Sequence, residues 1–358
     1  MSQASAQDTS SGSKPVDDRH RFDEAALAAW MEAHVAGYAG PLEVRQFKGG
    51  QSNPTYQLVT PSQSYVLRRK PPGKLLPSAH AVDREYKVIS ALYPTGFPVA
   101  KPFGLCTDDS VIGTMFYIMA NVEGRILWDG ALPDSTPAER GAIYRAKIET
   151  LAQLHTTDVN AVGLSDFGKP GNYFARQIDR WTKQYQASET QTIATMDKLM
   201  AWLPGSVPDD GMVSVVHGDY RLDNMILHPT EPRVIAVLDW ELSTLGNPLA
   251  DFTYLLMNWA MPGDQRGGLA GLDLKALGIP TLDEAVALYC ARTGRSGIPQ
   301  TDWYFAYNLF RLAAICQGIA GRVRDGTAAS PQAVLMGERV PHLAEGAYRF
   351  ALQAGMAA

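Results

Sequence analysis

Cysteine is scarce in this chain: three in 358 residues, Cys106, Cys290 and Cys316, scattered and odd in number. Their spacing excludes a disulfide framework and a cysteine-based metal site, and points to free thiols in a reducing cytoplasm. Charge is sparse too. Ionisable Asp, Glu, Lys and Arg make up 19%, the formal net charge is −5, and lysines and arginines form no cluster. A nucleic acid would find no basic footprint here. No apolar run approaches the length of a spanning helix, so no membrane partner is expected. The opening MSQASAQDTSSGSKPVDDRH lacks any apolar stretch; residues 1–20 read as a disordered tail rather than a signal peptide. Internal repeats are absent. What remains is ordinary globular composition, 46% apolar, with length enough for two lobes.

The rest is organised around Val213 to Glu241, VSVVHGDYRLDNMILHPTEPRVIAVLDWE. A β-branched run stops abruptly at His217-Gly218-Asp219, Asn224 follows, and a second apolar run, Val234 to Leu238, ends on Asp239. Two acids and an amide at the ends of short buried strands are placed to present chemistry rather than to pack. Mg2+ wants near-octahedral oxygen ligands and takes few of them from protein. Asn224 offers a neutral carbonyl oxygen and Asp239 an anionic one. Asp219 is left to accept a proton from an attacking hydroxyl. The catalytic loop of protein kinases has the same H-x-D-x-x-x-x-N spacing, with a later Asp on the metal. A polar hairpin with ordinary turn aspartates is the competing reading, and the combined pattern is more specific than that.

Upstream, residues 21–122 read as a smaller lobe that binds a nucleotide. An amphipathic helix runs from Arg21 to Ala36 with Asp23 as its N-cap. Strands follow at Leu42 to Phe47, Thr55 to Val59 and Tyr65 to Arg69, then a helix from Ser78 to Leu92 and a strand from Val111 to Ala120. Between the first two strands, Gly49, Gly50, Ser52 and Asn53 would let the backbone approach phosphates, although a plain Gly-Gly hairpin fits equally well. Arg68 would project a cation over those phosphates. Glu85 lies beside the apolar face of its helix, and periodicity leaves two readings open: a partner for Arg68, or a solvated surface acid. Met119, Ala120, Asn121 and Val122 end the last strand where the chain crosses between lobes, with free backbone groups for an adenine edge.

Residues 123–358 read as a larger, mainly helical lobe carrying catalysis and substrate binding. Helices are expected at Pro137 to Thr156, Tyr173 to Tyr185, Thr192 to Trp202, within STLGNPLADFTYLLMNWA after its opening loop residues, and at Leu282 to Ala291, Trp303 to Ile319 and Pro331 to Gln353. His155 reads as a packing histidine, and Trp181 and Trp202 as core. Asp251 reads as structural, at a helix terminus or reaching the catalytic-loop backbone. Met261 to Gly271 and Arg292 to Gln300 are candidate substrate loops.

From about Leu42 to about Trp259 the chain resembles the aminoglycoside phosphotransferase and choline-kinase-like family, relatives of the protein kinases. GGQSNPTY, YVLRRKP, REYKVI, FYIMANVEG, HGDYRLDN and LDWE carry the resemblance. It implies an α+β, bilobal protein-kinase-like fold, with a small antiparallel-sheet lobe and a larger helical one. It also implies transfer of the ATP γ-phosphoryl group, with Mg2+, to a small-molecule hydroxyl. Asp219 would be the base, Asn224 and Asp239 the metal ligands, and Arg221 a cation steadying the transferred group. Glu241 stands where protein kinases have glycine, and could assist a second metal. Arg68 stands where lysine is usual: it keeps the charge but is longer and planar. YVLRRKP and WELSTLGNPLADFTYLL are similar to a bacterial branch related to kinase-like domains fused to acyl-CoA dehydrogenases. Two alternatives stand beside this reading. One is a catalytically weak, ATP-binding pseudokinase, favoured only by Arg68. The other concerns the acceptor: a hydroxy acid or hydroxyacyl thioester rather than an aminoglycoside, because MPGDQRGGLAG sets only Asp264 beside Arg266 where a polycation would need several acids.

Overall fold

The computed structural model describes residues 12–48, 53–71, 80–208, 211–263, 267–328 and 331–358. Its first lobe is one antiparallel sheet built from β1 (Ser13–Lys14), β2 (Glu43–Phe47), β3 (Thr55–Val59), β4 (Ser64–Arg69), β5 (Pro102–Cys106) and β6 (Phe116–Ala120), in the order β1-β2-β3-β4-β6-β5. Alternation drives it: Val44, Tyr56 and Leu58 point inward, onto Leu27 and Met31 of helix α1 (Glu24–His34). Asp23 caps α1 by accepting from the Ala26 N–H, as expected.

Two features depart from the sequence reading. Residues 13–20 are not a tail. β1 pairs with β2, and the His20 carbonyl accepts from the Tyr56 hydroxyl and from Arg69. Polar side chains hid this, because an edge strand this short carries no hydrophobic signal. β5 was also unforeseen, since its proline and glycine signal a turn, and the strand expected from Val111 begins only at Phe116.

Helix α2 (Val82–Leu92) packs against the sheet and against the second lobe. That lobe holds α3 (Pro137–His155), α4 (Tyr173–Ser188), α5 (Ala194–Trp202), α6 (Leu249–Ala260), α7 (Leu274–Leu277), α8 (Leu282–Thr293), α9 (Thr301–Arg324), α10 (Pro331–Glu338) and α11 (Val340–Gln353). The single closing helix expected over Pro331 to Gln353 is two. Pro341 sits in the first turn of α11, where a missing N–H costs nothing, so it starts a helix rather than continuing one. α9 is buried along most of its length between α4, α6 and α11.

Four short strands set the cleft: β7 (Ser214–Val216) pairs with β10 (Thr244–Gly246), and β8 (Met225–Leu227) with β9 (Val234–Val237). After β6 the chain crosses between lobes and is caught at once. Arg125 and Leu227 exchange both backbone hydrogen bonds at 2.8 Å, and a side chain on Gly124 would run into the Leu227 carbonyl and the Ile226 methyl. The three cysteines are free and buried. Among the described residues no helix is long and apolar enough to cross a membrane.

Candidate active site

β7 leads into the loop that the sequence marks as the candidate catalytic one. Its three residues are fully buried, and the chain then turns at Gly218, whose φ of +85° and close approach to Leu242 both demand glycine. His217 is wholly buried, and its Nε2 bonds the Leu238 carbonyl at 2.8 Å, tying the loop to the residue before Asp239. Asp219 comes next. Its two carboxylate oxygens are held separately: Tyr254 donates to Oδ1 (3.3 Å) and the Asn224 amide to Oδ2 (3.1 Å). Arg221 Nε lies 2.9 Å from Oδ1.

The loop backbone is gripped from below. Asp251, near the start of α6, accepts from the N–H groups of His217 and Gly218. Of the two structural roles open to it in the sequence, it takes the one on the loop. Burial works against its charge, yet His155 and the loop N–H groups hold the carboxyl below its usual range. His155 bonds Tyr289 (2.7 Å) and faces Asp251 (3.5 Å); it is the packing histidine expected, and burial pushes its pKa down. Lys147 of α3 is 1% exposed, over the ring of Tyr144. Burial pushes its pKa down to about 8, against the pull of Asp223.

The opposite wall is built on Arg68 of β4. Its guanidinium lies 2.9 Å from Glu85, 2.7 Å from Asp239 and 3.7 Å from Glu241. Glu85 therefore takes the partner role rather than the surface one. Its buried carboxylate also accepts from Asn53 (2.8 Å) and Tyr117 (3.1 Å). Burial pushes the Glu85 carboxyl up, to about 7, although Arg68 opposes the shift. Neither Arg68 nor Arg221 aims its Nε–H at its acid, so both are close charge contacts rather than aligned hydrogen bonds.

Asn53, expected to face the phosphates, is instead fully buried, its amide engaged by Glu85 and His80. It supports the anchor of the cation. Gly49, Gly50 and Ser52 lie outside the described residues, as do Asp264 and Arg266 of the candidate substrate loop. Met119, Ala120, Asn121 and Val122 are half-buried at the lobe crossing. The Ala120 and Asn121 amides, expected free, already bond the carbonyls of Lys101 and Ser64. The Val122 amide has no backbone partner among the described residues.

Asp239 adopts a left-handed conformation (φ 65°, ψ 60°), tolerated by Asp because its short side chain can bond locally. The backbone bond from Leu238 N to Asn224 O (2.8 Å) keeps the two expected metal ligands on adjoining segments. Asn224 turns its N–H2 toward the Asp219 carbonyl (2.8 Å) and carboxylate, leaving its amide oxygen as an acceptor. An amide oxygen and a partly exposed carboxylate suit a hard cation that fills its shell with phosphate and water. Among the described residues no cluster of three acids, histidines or cysteines forms a rival metal site.

Sequence reasoning missed Tyr117, Tyr254, His80 and Arg311. Each lies far along the chain from the group it touches; Tyr117, Tyr254 and Arg311 sit on a strand or helices whose pattern reports only burial, and His80 sits in a turn before α2.

The profile of the phosphotransferase enzyme family matches residues 43–289. Among curated proteins, rat acyl-CoA dehydrogenase family member 11 is 45% identical over 334 residues, covering 91% of this chain and 43% of that protein. Mouse acyl-CoA dehydrogenase family member 10 is 42% identical over 345 residues, covering 96% and 32%. The chain thus spans less than half the length of these curated relatives. A solved structure from Ralstonia eutropha, described as a candidate aminoglycoside phosphotransferase, is 55% identical with a TM-score of 0.87, covering 93% of this chain and 99% of that one. Spectinomycin phosphotransferase bound to ADP and spectinomycin is only 13% identical, yet aligns over 91% and 98% with a TM-score of 0.60. The α+β, kinase-like architecture expected from the sequence is the one present.

Proposed function

The chain belongs to the phosphotransferase enzyme family, and from that premise we propose that it moves the γ-phosphoryl group of ATP, with Mg2+, to a hydroxyl of a small molecule. The observation that supports this most is the holding of Asp219. Both carboxylate oxygens are oriented by neutral donors, while about a quarter of the side chain stays open to the cleft, at 23% exposure. A carboxylate so fixed accepts a hydroxyl proton as the oxygen attacks. Arg221, beside it, meets the charge of the transferred group. Arg68 keeps Glu85 as its anchor and turns its other N–H groups from Asp239 to phosphate oxygens, as a planar fork allows. Asn224 and Asp239 would hold the magnesium ion, which draws charge from the phosphate oxygens when bound. Positioning and neutralisation then do most of the work, because a loose phosphoryl transition state needs little covalent help.

For the acceptor, a hydroxy acid or hydroxyacyl thioester fits better than an aminoglycoside. A cation, Arg221, stands beside the base, where a polycationic acceptor would need acids. The names of the curated relatives point the same way. A second reading, an ATP-binding module with weak turnover, draws on the grip of Arg68 upon Asp239. The test is ADP release with Mg-ATP across amino sugars, amino alcohols, sugars and hydroxy acids. Turnover with one class identifies the acceptor. Tight ATP binding with no release above the water background favours the second reading.

A further inference from the structure

We infer that Arg311, in the middle of α9, is a positioning residue for Asp219: its guanidinium fixes the peptide bond that leads into the base. The inference rests on the phosphotransfer reading for its kinetic consequence, but not for its structural one.

Arg311 is 7% exposed, and among the described residues no carboxylate lies within ion-pair distance of it. A buried cation without an acid is costly, so its donors must be well used. Two other buried arginines without acids among the described residues, Arg69 and Arg140, donate to the carbonyls of His20 and of Leu132, Pro133 and Leu277, none of them in the loop that bears the base. Arg311 donates to the Gly218 carbonyl. That oxygen belongs to the same peptide unit as the Asp219 N–H, which itself bonds His217 Nδ1 at 3.2 Å. The peptide is therefore held at both ends. One bond earlier, the Gly218 N–H is held by Asp251.

The position needs such a grip. Gly218 has φ +85°, and a glycine left free has the widest choice of backbone angles of any residue. Turning this one peptide would swing the Asp219 carboxylate away from Tyr254 and Asn224. The guanidinium is itself clamped, 5.8 Å from the Trp181 ring and 5.3 Å from the Tyr254 ring. Tyr254 is the residue whose hydroxyl reaches Asp219. Arg311 thus acts on the base along two paths, through the backbone and through Tyr254. Trp181, ordinary core by its pattern, is one jaw of the clamp. A lysine could carry the charge but not present a planar guanidinium to the two rings.

The test uses Arg311→Met and Arg311→Lys in the full chain. Hydrogen exchange of peptides spanning residues 217–224 should be at least about tenfold faster in Arg311→Met, as expected for loss of a charged hydrogen bond. Peptides from α9 and from β8–β9 should exchange as in the parent. With Mg-ATP and water as acceptor, kcat for ADP release should fall roughly ten- to a hundredfold while the KM for ATP stays put. Arg311→Lys should recover part of both, and it is the variant to use if Arg311→Met does not fold. Parent-like exchange in 217–224 overturns the inference. So does a uniform rise across the helical lobe, which would make Arg311 a general stabiliser. A parent that neither binds ATP nor releases ADP would overturn phosphotransfer instead, leaving the exchange result to judge Arg311.

Discussion

At one end of the cleft a single guanidinium, Arg68, is surrounded by Glu85, Asp239 and Glu241. At the other end the carboxylate of Asp219 has Arg221 against it, Arg311 behind its peptide and Lys147 buried nearby, with Asp223 and Asp251 also close to the loop. The two ends also differ in how they are held. Around Arg68 the contacts are between side chains, and Asp239, 35% exposed, can exchange one cation for another. Around Asp219, beside the one charge contact with Arg221, they run through neutral hydrogen bonds and a loop backbone held from below. The first end is built to be re-partnered and the second to stay put. That is the division expected where charge arrives with a nucleotide and geometry must wait for it.

The sharpest way to break this comparison is at the fixed end. Asp219→Asn should keep Mg-ATP binding by calorimetry while lowering phosphoryl transfer about 100- to 10,000-fold, the usual share of a general base. Transfer at the parental rate would move the base elsewhere.

Lys147 probes the same end through stability. Its folded pKa, about 8, lies below the ordinary lysine value, so the fold carries the cost of a buried charge at pH 7. A shift of this size corresponds to about 3 kcal/mol, and Lys147→Met should be more stable by an amount of that order. The sign changes with pH in a defined way. Between about 8 and 10.5 the unfolded chain binds more protons than the folded one, so the parent gains stability as pH rises and the advantage of methionine shrinks. Denaturant midpoints at pH 7 and 10 would show it; an unchanged difference would mean that Lys147 stays charged and paired.

The exchangeable end should respond least and most selectively. Arg68→Ala should weaken ATP roughly ten- to a hundredfold and AMP hardly at all, with Arg68→Lys milder. Glu85→Gln should be a weaker version of the alanine change, since the cation remains and only its anchor is lost. Equal losses for ATP and AMP would show that Arg68 does not face phosphate.

How much of this was legible in the sequence follows from how far apart the cooperating residues lie. Asp219, Asn224 and Asp239 share one short stretch, so spacing alone exposed them. Arg68 and Glu85 belong to neighbouring elements, and periodicity offered their pairing as one of two readings. Tyr254 and Arg311 come from helices whose patterns report burial, and burial does not reveal which carbonyl or carboxylate a buried polar group meets. Asn53 misled because a loop asparagine beside glycines looks like a phosphate ligand, whereas its side chain turned inward to a buried acid. In the fold, long amphipathic helices were plain. The edge strand β1 and the proline-flanked β5 were not, since pairing with a neighbour defines them more than their own residues do.

The crossing between lobes has a mechanical meaning. Because Gly124 leaves no space for a side chain and Arg125 is stitched to Leu227, the connector is rigid from Gly124 onward, as one piece with the hairpin that bears Asn224 and leads to Asp239. Since the Asn121 amide is tied to Ser64 on the other side, any rocking of the small lobe along this connector falls on Val122 and Glu123. A lever with so short a flexure has little slack: a small rotation there becomes a displacement of Arg68 relative to Asp239, and the distance between those two side chains is the natural gauge of how far the jaws have opened.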